Sequence, residues 1–523
     1  MENNQYQHIP QEKFAFAQLD AELKDKKLET KARGYMADAL LRFKKNKSSV
    51  VAAYIIMLLV IFAIVSPMIS PYHVKHMDKL YTNMPPFVRS VADMKIGILD
   101  GSVTRDSQND ASMDYWRGIA EETGMDPVIE IVSDTVKSVK QRGKMVESHT
   151  YVLKNNKYYE TGNIYLTLSY EEFDRIQAWQ NETGIQVIYP WVETKDIKDI
   201  TNNPNIWYQV KNNKGEADKD ADGNFVPAYS TNKTIEGREY NSLRIEGDDG
   251  SYIYSARKSG AVQCRVNYFN YYTFVNGLEP TYYFGTNAKG QDLFCAIGMG
   301  ARFSMVFAVL VSAINLTIGA IYGAIQGYYG GMIDLAMDRV SDILSGIPFM
   351  VAATLFQLHL AQKVGTVPSF LFAFVLTGWI GMSALTRKQF YRFKGQEYVL
   401  AARTLGASDW RLMFRHIFPN SLGTIVTSCA LVIPSVISSE TQLTYLGIVN
   451  LSEMVGTSVG ELMSMGQTAM TTSPHAMLFP ALFFSLLMIS FNLFGNGLRD
   501  AFNPTDNIEH KSHYHRITYK LLI

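Results

Sequence analysis

The 523-residue chain carries 49 Lys and Arg against 49 Asp and Glu, and a formal net charge of zero gives no electrostatic ground for a nucleic acid or another polyanionic partner. Its three cysteines, with Cys429 inside an apolar run, are too few for a disulfide framework and suggest no cysteine metal site. Apolar residues make up 47% of the chain and charged ones 19%, and their segregation into long runs reads as a protein part membrane and part soluble.

Residues 1–48 are polar and basic, ending in Arg42, Lys44, Lys45 and Lys47, and are expected to form a cytoplasmic tail with an amphipathic helix from Tyr35 to Phe43. Polar sequence as far as Ser49 argues against a cleavable signal, so the first apolar run should stay as an anchor. That run, from Val50 to Ser70, is free of charge and long enough for roughly 30 Å of hydrocarbon, which places a first span within 49–71.

A polar block follows, 72–283. NIYLTLSY from Asn163, GIQVIYPWV from Gly184, SYIYSARK from Ser251 and VNYFNYYTFV from Val266 are rich in β-branched and aromatic residues and read as strands. Turn clusters such as DADGN at 220–224 separate them, and a helix is expected around Glu171 to Trp179. The block is therefore predicted as a mainly β or α+β domain with its own core.

Five more charge-free runs, at about 303–333, 343–362, 364–386, 417–439 and 476–498, complete an expected set of six spans, five of them in a core of 284–504. Lys and Arg crowd the N-terminal tail and the loop 387–420 but are absent from 447–475, so both termini, including the tail 505–523, and that loop are expected in the cytoplasm. The polar block, one span from the N-terminus, is then outside.

No phosphate loop, zinc-protease helix or hydrolase triad spacing occurs, and the chain is expected to hydrolyse nothing itself. Asp218, Asp220 and Asp222 match the first half of a calcium loop, but Tyr229 stands where the closing Glu belongs, which makes a solvated turn the favoured reading. Within the spans, Asn315, Gln357 and Glu440 are candidate gate or pathway residues, with helix-to-helix hydrogen bonding as the plainer reading for Asn315 and Gln357.

The most informative stretch is QEYVLAARTLGASDWRLMFRHIFPN, 396–420. It predicts a short helix from Glu397 with the small pair Ala401 and Ala402, a break at Gly406, Ser408 as N-cap, and a second helix from Asp409 towards Phe418, closed by Pro419. A helix, a tight turn and another helix between spans make a docking element.

Glu397, Ala401, Ala402, Gly406, His416 and Pro419 match, position for position, the cytoplasmic EAA loop of binding-protein-dependent ABC importer permeases. EYVLAARTLGAS and RHIFPN resemble the version in dipeptide, oligopeptide and nickel permeases, and residues 39–72 resemble the start of the C-type subunit. FGTNAKGQDLF, from Phe284, is similar to the family's G-T-D-x-x-G-R-D entry to the second span, with Asn287 and Gln291 where Asp and Arg are usual. GARFS at 300–304, GYYGGMIDLAMDRVSDILSGIPFM at 327–350, ETQLTYLGI at 440–448 and GLRDAFNP at 497–504 follow in family order. The resemblance covers about 39–74 and 284–504, leaving the outer block as an insertion.

The resemblance implies a type I ABC importer permease fold in a bacterial inner or plasma membrane. It implies half of a pore, completed by a B-type permease, served by two ATPases that use the ATP and by an extracytoplasmic solute-binding protein, with no cofactor or metal held by this chain. ATPase coupling falls to Glu397, Ala401, Ala402, Arg403, Gly406, His416 and Pro419, with Arg403 expected to pair with Glu397. Peptide is the expected cargo, nickel or another small solute the alternative, and a membrane-anchored sensor a more distant one.

Overall fold

The computed structural model describes residues 35–73, 75–141, 144–192, 203–211, 215–228, 256–257, 260–451 and 456–502. The tail 505–523, Tyr229 and residues 251–255 of one expected strand lie outside them. An amphipathic helix, α1 (Tyr35–Lys45), leads into the first span, α2 (Lys47–Ile69), which Asn46 caps by accepting from the Ser49 N–H.

The polar block is α+β. Its elements are β1 (Ser102–Gln108), α3 (Asp110–Thr123), β2 (Val128–Gln141), β3 (Lys144–Asn156), β4 (Asn163–Ser169), α4 (Tyr170–Thr183), β5 (Ile188–Tyr189), β6 (Ala256–Arg257), β7 (Ala261–Asn267) and α5 (Tyr268–Asn276). One antiparallel sheet runs β1-β3-β2, with a long ribbon in the register Asp134↔Tyr151 and Val139↔Val146. The second runs β4-β7-β5, with β6 also on β7. The run from Val266 is strand only as far as Asn267. There the Asn267 side chain accepts from the Asn270 N–H and starts α5, which buries Phe269 and Tyr272 at helical spacing.

Arg265 of β7 holds the block together. Its guanidinium is fully buried and forks onto Glu122 of α3 at 2.7 and 3.0 Å while donating to the carbonyls of Pro190 and Pro204.

The spans are α2, α6 (Leu293–Tyr329), α9 (Thr366–Phe393), α11 (Asp409–Tyr445) and α13 (His475–Phe502). Among the described residues one further pair, α7 (Gly331–Ser345) and α8 (Phe349–Val364), is apolar and long enough only when taken together, and it is bent by 70° at a break just ahead of α8 that contains Pro348. The expected continuous span 343–362 is thus corrected to a bent one. Two short helices, α10 (Glu397–Thr404) and α12 (Val459–Thr468), complete the core.

The second span begins at Leu293 and not near 303, with Arg302 inside it. Pro67 of α2 has no N–H to give the Ala63 carbonyl, four residues back, and Arg302 Nε donates to that carbonyl at 2.6 Å, with a second contact to Ile64. At Arg302, then, the charge within the span meets a carbonyl that a proline has freed. At its other end the helix stops at Gly330, φ +67°, short of the expected 333.

Helix α6 lies directly on α9. A Cβ at Gly319, Gly323 or Gly327 would come within 2.2–2.7 Å of the Trp379, Ser383 or Arg387 carbonyl, so this one-per-turn stripe lets the two backbones touch.

An aromatic cluster that includes Tyr72, Tyr81, Phe87, Tyr158, Tyr272 and Tyr282 lies within the polar block, and backbone hydrogen bonds seat the block on the core. Phe87 and Tyr282 exchange two backbone bonds of 2.8 Å, and the N–H groups of Asp78 and Asn83 reach the carbonyls of Gly290 and Asn287. Burial pushes the Tyr72 hydroxyl up to about 12, since desolvation disfavours the phenolate.

Candidate coupling element

Helix α10 ends as its sequence dictates. Leu405 is followed by Gly406 at φ +81°, the Gly406 N–H returns to the Arg403 carbonyl at 3.0 Å, and the Ala407 N–H to the Ala402 carbonyl at 3.1 Å. This is a Schellman closure, which needs a left-handed residue at that position.

The helix is anchored on one side only. Val399 is buried, and Ala402 packs with Phe390, Leu412, Met413 and Ile417. Glu397, Leu400 and Ala401 face out, Leu405 is 88% exposed, and Trp410 beyond the turn is 63% exposed. An apolar surface with small residues at its centre is thus left uncovered within this chain.

The expected second helix is not separate. Ser408 takes the N-cap backbone conformation without a side-chain hydrogen bond, and the helix from Asp409 runs on through Pro419 to Tyr445. A π turn over Leu412–Ile417 makes this continuity feasible. The Phe418 N–H reaches back five residues to Met413, just before a proline that has no N–H and crowds the turn below it. His416 is half-buried in that turn and Pro419 is exposed.

Arg403 turns to Tyr328, near the end of α6, and not to Glu397. It lies 5.8 Å from the Tyr328 ring centre and donates to the hydroxyl at 3.4 Å. That hydroxyl in turn donates to Asp409 at 2.5 Å, and Lys394 Nζ donates to the Gly327 carbonyl at 2.9 Å. Beside this junction Arg387 of α9 bridges Asp334 and Asp338 of α7 at 2.6 and 2.9 Å, with the Tyr391 hydroxyl also on Asp334. Sequence reasoning assigned no role to Tyr328. The available signal was a pair of tyrosines ending an apolar run just before twin glycines.

The candidate pathway residues are spread among the helices. Glu440 is fully buried and accepts from Ser304 of α6 at 2.7 Å. Asn315 is buried against Gly378 and donates to the Phe374 carbonyl at 3.5 Å, while Gln357 donates to the Thr366 carbonyl at 3.1 Å across the α8–α9 turn.

The Asp218–Asp222 stretch takes the form of a turn. Asp220 uses its carboxylate on the N–H groups of Asp222 and Asn224 within a tight turn, and no group of three His, Cys, Asp or Glu among the described residues is placed to hold a metal ion.

Two family profiles match the chain. Residues 34–86 match the N-terminal transmembrane domain of oligopeptide transport permease C, and residues 300–505 match the binding-protein-dependent transport system inner membrane component. The oligopeptide transport system permease protein of Bacillus subtilis is 39% identical over 223 residues, covering 43% of this chain and 72% of the relative. The dipeptide transport system permease protein of the same organism is 35% identical, covering 43% and 68%, and the oligopeptide permease of Haemophilus influenzae is 36% identical, covering 44% and 72%. With a relative this similar aligned over more than two thirds of its length, and with five long apolar helices plus a bent pair, the chain is a multi-pass membrane protein belonging to the binding-protein-dependent ABC importer permeases, in the branch of the oligopeptide transport permease C subunits.

Proposed function

We propose that this chain forms half of the translocation pathway of an ATP-driven peptide importer. A second permease completes the path, two ATPases bind at the α10 end, and a solute-binding protein delivers peptide at the opposite end, where the α+β block sits outside the cell. The relatives are named for oligopeptide and dipeptide transport, which supports peptide as cargo. The observation that carries the reading is α10 itself. It is a short helix fixed through Val399 and Ala402, with Leu400, Ala401, Leu405 and Trp410 uncovered, as a helix seated in another protein's groove must be. Glu397, Ala401, Ala402, Arg403, Gly406, His416 and Pro419 belong to this coupling element, and ATP is hydrolysed by the partners alone.

Purification of the chain with its membrane partners tests the assembly. Co-purification of an ATPase, lost in the variant Leu405→Asp, supports the reading; a chain that imports peptide without any ATPase defeats it.

The outer block is assigned to holding the solute-binding protein beside the entrance. Because the Phe87–Tyr282 pair closes the base of the block, excising 89–278 behind that pair should leave the core intact. Apparent affinity for the loaded binding protein should fall, and an unchanged affinity would remove this role.

A further inference from the structure

The geometry points to Tyr328 as the positioning residue through which the coupling helix moves the long span α6. This rests on the coupling role of α10 given above and adds a route that the family motif does not contain, since Tyr328 lies well outside the loop.

Among the described residues, two side-chain hydrogen bonds leave α10 for another span. Asn420 of α11 donates to the Tyr398 hydroxyl at 3.1 Å, in an exposed setting and on the span that already continues the loop. The other joins Arg403 to Tyr328 and is the link from α10 to α6. Tyr328 is 8% exposed, and its cluster includes Val399 of α10, Phe390 of α9, and Leu412 of α11. Arg403 lies over the ring, and the hydroxyl accepts a hydrogen bond from Arg403 of α10 while donating to the Asp409 carboxylate of α11 at 2.5 Å. A bond to a charged acceptor in such a site holds its geometry more tightly than a neutral one.

A push on Tyr328 has no slack to disappear into. Lys394 of the α9–α10 turn donates to the carbonyls of Gly327 and Tyr328, at 2.9 and 3.5 Å, and so ties off the free end of α6. Immediately above, the Gly319, Gly323 and Gly327 stripe sets the α6 backbone against α9, so the two move as a pair. At about 1.5 Å per residue, 37 residues of α6 reach roughly 55 Å, the full depth of the membrane and beyond. Displacement of α10 is therefore delivered by Tyr328 to a stiff rod whose far end is capped by Asp292 next to the docked outer block.

The test uses the complete transporter in proteoliposomes, with loaded binding protein, and reads ATP hydrolysed per peptide imported. Tyr328→Phe keeps the ring and its packing but removes both hydroxyl bonds. The ratio should rise about tenfold, the size implied by losing a hydrogen bond to a charged group. Asp409→Asn should raise it as well, and the double variant should exceed the larger single effect by little, because both act on one bond. A ratio unchanged in Tyr328→Phe, import and hydrolysis falling in step, or additive single effects would each overturn the proposal. A Leu405→Cys cross-link to the ATPase checks the underlying reading separately: if the cross-link forms and Tyr328→Phe leaves the ratio unchanged, only the Tyr328 route fails, and if no cross-link forms, the docking of α10 fails.

Discussion

Asn287 and Gln291, the two places where the entry to the second span departs from its family's pattern, hydrogen-bond each other. The Asn287 amide donates to Gln291 Oε1 at 2.8 Å, and both side chains are buried at 1% exposure. Asn287 Oδ1 also accepts from the backbone N–H groups of Lys289 and Gln291. The usual Asp and Arg would form an ion pair here, and the two departures replace it together by a neutral pair of matching reach. Asn287→Asp or Gln291→Arg alone should destabilise by about 3–5 kcal/mol, since each leaves a buried charge without its partner. The double variant should recover most of that loss in thermal unfolding of the purified protein, and additive losses would show that the pairing is irrelevant.

Gly290, between those residues, sits at φ +72°, and a Cβ there would lie 1.9 Å from the Asp78 carbonyl. Gly290→Ala should unseat the polar block from the core, because strain and a backbone clash act together. Hydrogen exchange at residues 78–84 should rise while the spans stay protected.

For Gly406 the expectation differs in kind. Nothing lies within 4 Å of a Cβ built at that position, so the cost of Gly406→Val is conformational, from φ +81° in a β-branched residue. Uptake should be abolished with membrane insertion unchanged, and Glu397→Lys should do the same by altering the exposed face of α10. Normal ATP-dependent transport in both would refute the coupling role.

Arg265→Met should leave the Glu122 carboxylate buried against an apolar side chain and cost the polar block about 3–5 kcal/mol. Protease sensitivity should appear in residues 102–267, with the spans intact. The same sensitivity from Arg265→Lys, milder in degree, would follow from losing the two-pronged geometry.

On the β2–β3 ribbon the Asp134 carboxylate lies 2.9 Å from His149 Nδ1 and raises the imidazole above its ordinary value. The protonated imidazole is the form stabilised, so its contribution is present below the unperturbed imidazole value and is lost as pH rises through the raised one. Histidine-selective NMR should find His149 titrating above 6.5 and moving back towards that value in Asp134→Asn.

Much was legible along the chain. Charge-free runs marked the apolar stretch of each membrane-length segment because hydrocarbon leaves the backbone no other solution than a helix, but not the start of the second span ahead of Arg302 nor the bend at Pro348, and Gly406 marked the end of α10 because only one conformation closes that turn. The strand at Asn163 and the helix near Glu171 were equally local, each set by periodicity and a cap. What was not legible needed two distant segments at once. The run from Val266 reads as strand until Asn267 caps a helix that buries Phe269 and Tyr272 in the block's aromatic cluster. Arg302 reads as the edge of a span until Pro67 supplies a free carbonyl, and Tyr328 reads as a helix end until Arg403 and Asp409 converge on it. Thus the sequence by itself determined the apolar runs, the turn and the family motif, all products of local backbone chemistry. Only the tertiary structure decided which polar groups meet, because a buried donor must find its acceptor wherever the fold brings one, whatever the separation along the chain.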